Sequence, residues 1–152
     1  MICMMNQTEP HWRLFAAISG IYIQSRRITE KHLKTIGMTF PQFGALFNLL
    51  EQDNITQIHL AKNLQTDANT TMVLCNSMER KKWITRKKDP SDKRVNRILI
   101  TDQGKQAFTK IYPHVLDEYK IFIDAISEKD ISLIMPILTK LNSRISARYL
   151  EI

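Results

Sequence analysis

The residues able to do chemistry crowd into one short stretch. Between Arg80 and Arg97 the chain carries nine lysines and arginines and only two acids, Asp89 and Asp92. The other residues hold thirteen basic and thirteen acidic side chains, so the whole formal charge of +7 sits in these 18 residues. A solvated surface scatters its charge, whereas a concentrated basic patch is the footprint of a polyanion partner. The cluster lies in "TRKKDPSDKRVNRILIT", where β-prone patches flank a loop with two aspartates and a proline, which predicts the tip of a hairpin.

Other chemistries find no support in the residue pattern. Cys3 and Cys75 make no disulfide framework, and neither has a CxxC or histidine partner at metal spacing. His11, His32, His59 and His114 have no paired spacing with cysteine or acids, so no metal is expected. The four glycines form no phosphate loop, and no Ser/His/Asp, Cys/His or paired-carboxylate arrangement occurs. The sequence therefore reads as a non-enzyme without a cofactor. "MICMM" is too short for a signal-peptide core, and no apolar run approaches 18 residues. These features imply a cytoplasmic protein without a membrane partner.

The elements that must position the basic hairpin follow from periodicity and caps. Residues 11 to 36 form one long amphipathic helix ended by Gly37. Thr39 caps a second helix with Pro41 in its first turn, residues 56–64 form a short third, and Asp67 caps a fourth whose Thr71, Leu74, Cys75 and Met78 share a face. Strands near 83–88 and 97–100 make the hairpin. Thr101 then caps a long helix running to about Ile126 and bent at Pro113, and Ser127 to Asp130 open a last helix interrupted by Pro136. The expected class is mainly α with a small β-hairpin wing: a winged helix-turn-helix with long flanking dimerisation helices. It reads as one continuous domain, with residues 37–100 as the DNA-binding lobe and 1–36 with 101–152 as a helical dimerisation region. The apolar faces of the last two helices (Ile111, Val115, Leu116 and Ile123; Ile131, Ile134, Ile137, Leu138, Leu141 and Ile145) want a second copy of the chain.

The stretches "MTFPQFGALFNLL" and "HLAKNLQTDANTTMVLCNSMERKKWITRKKDPSDKRVNRILITDQGKQAF" resemble the MarR family of regulators. The shared features are an LTxxQ-like start, a capped recognition helix, a D-x-x-D-x-R wing (Asp89, Asp92, Arg94) and a closing LTxxG-like turn (Ile100, Thr101, Gly104). The resemblance implies a homodimeric repressor on a pseudo-palindromic operator in double-stranded DNA, released by a small aromatic or phenolic ligand or by thiol oxidation. On this reading the hairpin tip enters the minor groove, where negative potential is concentrated. Arg94 is the candidate there, held by Asp92, while Arg86, Lys87, Lys88, Lys93 and Arg97 meet phosphates.

Two departures from the family pattern matter. Arginine is common in the family at the positions of Val73 and Ser77, on the groove-facing side. Base-edge chemistry here falls to Asn69, Thr70, Asn76 and Arg80, with Met72 and Val73 available to thymine methyls, which suggests an A/T-rich operator. Lys82 stands where a glycine is usual; a left-handed residue there costs about 1 kcal/mol, so either Lys82 is strained or the helix ends differently. Cys75, on the apolar face, reads as a buried structural thiol, and Cys3 precedes the first helix. Trp12, Phe15, Tyr22, Phe43 and Phe47 are candidates to line a ligand crevice, or else belong to the core. The alternatives to a sequence-specific regulator are an architectural winged-helix protein with weak sequence choice and a thiol-based redox sensor.

Overall fold

The structure, a computed structural model, describes residues 10–149. Six helices, α1 (Pro10–Leu33), α2 (Phe40–Glu51), α3 (Gln57–Leu64), α4 (Ala68–Arg80), α5 (Asp102–Ala125) and α6 (Glu128–Tyr149), surround three strands, β1 (Ile55–Thr56), β2 (Ile84–Lys88) and β3 (Asn96–Ile100). The antiparallel sheet has the order β1-β3-β2, with Arg86 opposite Ile98 and Ile55 opposite Ile98 on the other side. The fold is a mainly helical winged helix with long flanking helices.

Local chemistry starts most of these helices. Thr39 accepts from Gln42 N while the Gln42 side chain accepts from Thr39 N, a complete capping box, and Thr56, Asp67 and Thr101 each cap the helix that follows. Ser127 and Asp130 exchange bonds in the same way before α6. Gly37, left-handed at φ 63°, ends a 3-10 turn after α1.

The core gathers Leu33, Met38, Leu46, Leu49, Ile55, Leu60, Met78, Trp83, Ile84, Ile98, Phe108 and Ile111 from every element of the lobe, from the end of α1 and from the first half of α5. Two expectations change here. Ile111 and Val115 are only 3% and 4% exposed, so they close this chain's own core and offer nothing to a second copy. α6 runs through Pro136 without interruption, because a proline removes one helical hydrogen bond and the turns on either side carry the helix past it. Leu14, Phe15, Ile18 and Ile21 on α1, Leu116 and Ile123 on α5, and Ile131, Ile134, Ile137, Leu138 and Ile145 on α6 stand exposed. No described helix is long and apolar enough to cross a membrane.

Candidate nucleic-acid interface

The wing turn is built around a buried acid. Asp89, 5% exposed, accepts from Ser91 N at 2.8 Å, from the Ser91 hydroxyl and from Asp92 N at 3.3 Å, and its other oxygen accepts from Arg97 Nε at 2.5 Å. These bonds from Ser91, then the Arg97 guanidinium, hold its carboxyl well below the usual carboxylate range. Arg97 also donates to the Asn54 carbonyl at 2.7 Å, fastening the wing to the turn before β1. Arg97 is thus a brace, with a third of its side chain exposed, rather than a free cation.

At the tip, Asp92 accepts from Arg94 N at 2.9 Å and from Nε and Nη2 at 3.1 Å each. The guanidinium lowers the Asp92 pKa and is itself raised by the carboxylate. Arg94 nevertheless keeps 91% of its side chain exposed, so it is aimed without being covered. Lys87, Lys88 and Lys93 are exposed beside it. Arg86 turns the other way: Nη1 lies 2.7 Å from Asn76 Oδ1 and 3.0 Å from Glu79 Oε2, and Nη2 lies 3.4 Å from the Met72 carbonyl. With 19% of its side chain exposed, it grips α4 instead of facing solvent.

On α4, Thr71, Cys75 and Met78 are buried, so the opposite side carries Asn69, Val73, Arg80 and, flanking them, Thr70, Met72, Asn76 and Ser77. Val73 and Met72 are 63% and 45% exposed, which separates them from the core. Thr70 is tied to the cap, its hydroxyl 2.6 Å from Asp67. Ser77 accepts from Gln42 Nε2 at 3.0 Å, and the Gln42 oxygen accepts from Lys81 Nζ at 3.0 Å. Lys81 also donates to the Gly37 carbonyl and lies 4.5 Å from the centre of the Trp83 ring. α4 is therefore gripped on both flanks, by Arg86 and by the Gln42–Lys81 pair.

Lys82 takes the left-handed conformation, φ 58°. Its N–H donates to the Glu79 carbonyl and that of Trp83 to the Met78 carbonyl, at 2.9 and 3.0 Å, the Schellman pattern that demands such a residue. The Lys82 carbonyl accepts from the Thr101 hydroxyl at 2.6 Å, and a Cβ on Gly104 would overlap the Trp83 carbonyl oxygen.

Of the five aromatic crevice candidates, only Tyr22 lines the apolar crevice of about 480 Å³ beside α4, with Phe40, Leu64, Val73, Leu74 and the polar Thr39, Gln42 and Ser77. Phe43 stacks on Phe108 at 5.0 Å and packs on the core, Phe47 meets Phe108 from the side, and Trp12 and Phe15 stand exposed on α1. Cys75 is fully buried, and burial pushes its thiol up. Cys3 lies outside the described residues. Among the described residues no group of three or more His, Cys, Asp or Glu is placed to hold a metal ion.

The profile of the MarR family matches residues 36–95. The uncharacterized HTH-type transcriptional regulator YsmB of Bacillus subtilis (strain 168) is 31% identical over 106 residues, covering 65% of this chain and 73% of its own. The chain belongs to the MarR family. It is also similar to the organic hydroperoxide resistance transcriptional regulator of B. subtilis (strain 168), 31% identical over 87 residues, which are 55% of this chain and 59% of that one. Among solved structures it is similar to the S. aureus MepR–DNA complex, with a TM-score of 0.76 and 26% identity over 92% of this chain and 99% of that one. As a MarR-family winged helix, the chain is a transcriptional regulator of the DNA-binding kind.

Several residues that shape this MarR-family site escape a reading by composition. Asp89 is visible as an Asx turn in "DPSD", and Gln42 as the third helical residue after a threonine cap. Glu79 and Asn54 carry no local signal, since their partners Arg86 and Arg97 sit on other elements.

Proposed function

We propose that this chain is a repressor acting as a homodimer on a pseudo-palindromic operator in double-stranded DNA. Residues 37–100 form its DNA-contacting lobe, and 1–36 with 101–152 its dimer contact. The observation that carries the reading is the wing tip: a guanidinium held by two bonds to Asp92 yet 91% exposed, beside three exposed lysines. An arginine oriented before binding suits the narrow minor groove, and α4, with Asn69, Thr70, Met72, Val73 and Arg80 outward and the half-buried Asn76 and Ser77 on its flanks, suits the adjacent major groove. Lys87, Lys88 and Lys93 supply phosphate contacts.

Arg94→Ala should weaken binding to the selected DNA by about 1–3 kcal/mol, measured by fluorescence anisotropy. Asp92→Ala should weaken it too, although removing an acid beside DNA strengthens binding on charge alone. Tighter binding by Asp92→Ala would mean that the wing is only a diffuse basic attractant, as an architectural protein would use.

The crevice beside α4 favours release by a small aromatic or phenolic effector. Tyr22 and Phe40 meet edge to face at 6.4 Å, and Thr39, Gln42 and Ser77 offer hydrogen bonds.

A further inference from the structure

Arg86 gives no cation to the open face of the wing, and what it grips points to a different role. A guanidinium has donors only, so the Asn76 atom 2.7 Å from Nη1 is the carbonyl oxygen, and chemistry fixes the orientation of the amide. Both N–H groups of the Asn76 amide then lie on the branch away from Arg86. Glu79, 3.0 Å from the same nitrogen, balances the arginine charge and keeps it in place. Asn76 itself is half-buried on the flank of α4, beside the exposed Val73 and Arg80 of its outward side.

We infer that Arg86, without touching DNA, turns Asn76 into a donor-only reader that favours guanine over adenine at the base pair it faces. This rests on the placement of α4 in the major groove proposed above. An unconstrained asparagine matches adenine with both halves of its amide, accepting from N6 and donating to N7. Here a charged donor takes one lone pair of the oxygen and draws electron density from the other, so the N6 amino group would meet a weakened acceptor with a guanidinium beside it. Guanine presents O6 and N7, both acceptors, which match two N–H groups. The adenine preference that an asparagine alone suggests is reversed at this position. Arg86 is thereby a positioning residue that sets specificity.

The test starts from a pool of random-sequence duplexes enriched for binding to the full chain. Affinity for the recovered site is then measured with each base pair changed in turn, for wild type, Asn76→Ala and Arg86→Met. One base pair in each half-site should be G·C in the wild type, with guanine preferred over adenine by about tenfold. Asn76→Ala should erase that preference and leave the other positions unchanged. Arg86→Met, which frees the amide oxygen, should shift the same position toward adenine, whereas loss of a purely structural contact would lower affinity equally for all four bases. If Arg86→Met fails to fold, wild type and Asn76→Ala still decide the matter. An Asn76-dependent adenine, or no position that depends on Asn76, overturns the inference alone. A pool that yields no recurring site overturns the sequence-specific reading as well.

Discussion

Lys82 shows how a backbone requirement can override residue preference. The bonds from Lys82 N to Glu79 O and from Trp83 N to Met78 O close the end of α4, and they need a left-handed residue at this point. A lysine pays conformational strain there of about 1 kcal/mol relative to glycine. Lys82→Gly should therefore raise the unfolding free energy by about that amount in urea titrations; an unchanged or lower value would mean that the lysine side chain compensates. Cys75 makes the opposite point, a reactive group silenced by its surroundings. Burial raises its pKa, so the thiolate emerges only as pH rises beyond the ordinary thiol range. In a Cys3→Ser variant, Cys75 should resist iodoacetamide at pH 8 until the chain is unfolded. Rapid labelling of the folded protein would bring back the thiol-sensor reading. Asp89 and Asp92 are both depressed, so their bonds in the wing are complete above the ordinary carboxylate pKa, near 4, and are lost only as pH falls below it.

The elements divide into those whose cause is local and those whose cause is tertiary. Helix starts are legible where a cap acts within three residues, as Thr39, Asp67, Thr101 and Ser127 do; Thr56, expected as the first residue of its helix, is instead the cap of α3. The strand β1 is not legible, since two residues carry no periodicity and Ile55–Thr56 is extended only by pairing with β3. Periodicity likewise reveals the apolar stripe of α5 but not what covers it: α1 and α2 pack on that helix, and Ile111 and Val115 are buried there. The inward turn of Arg86 depends on where β2 lies against α4, which no spacing encodes. The junction of β2, β3 and α5 is local enough to test. Gly104→Ala adds a Cβ where the Trp83 carbonyl stands, and should destabilise the fold by about 1–3 kcal/mol in thermal or denaturant unfolding, despite the better helix propensity of alanine. A more stable variant would show that the turn can open at no cost.

At the scale of the molecule, the exposed isoleucines and leucines of α1, α5 and α6 are more apolar surface than an isolated chain ordinarily leaves in water. Light scattering at micromolar concentration should return twice the 17.8 kDa chain mass, with a melting temperature that rises with concentration. A folded, monodisperse monomer would refute the homodimer. The two-sided grip on α4 has a consequence at this same scale. Rolling the helix about its own axis would break the bonds from Gln42 to Ser77 on one flank and those from Arg86 to Asn76 and Glu79 on the other. The helix proposed to read DNA therefore cannot be retuned in place: the direction in which its side chains face is set when the chain folds. In the homodimer proposed above, a signal that turns recognition off would act as a change of gauge between two such heads, carried by the long helices of each chain.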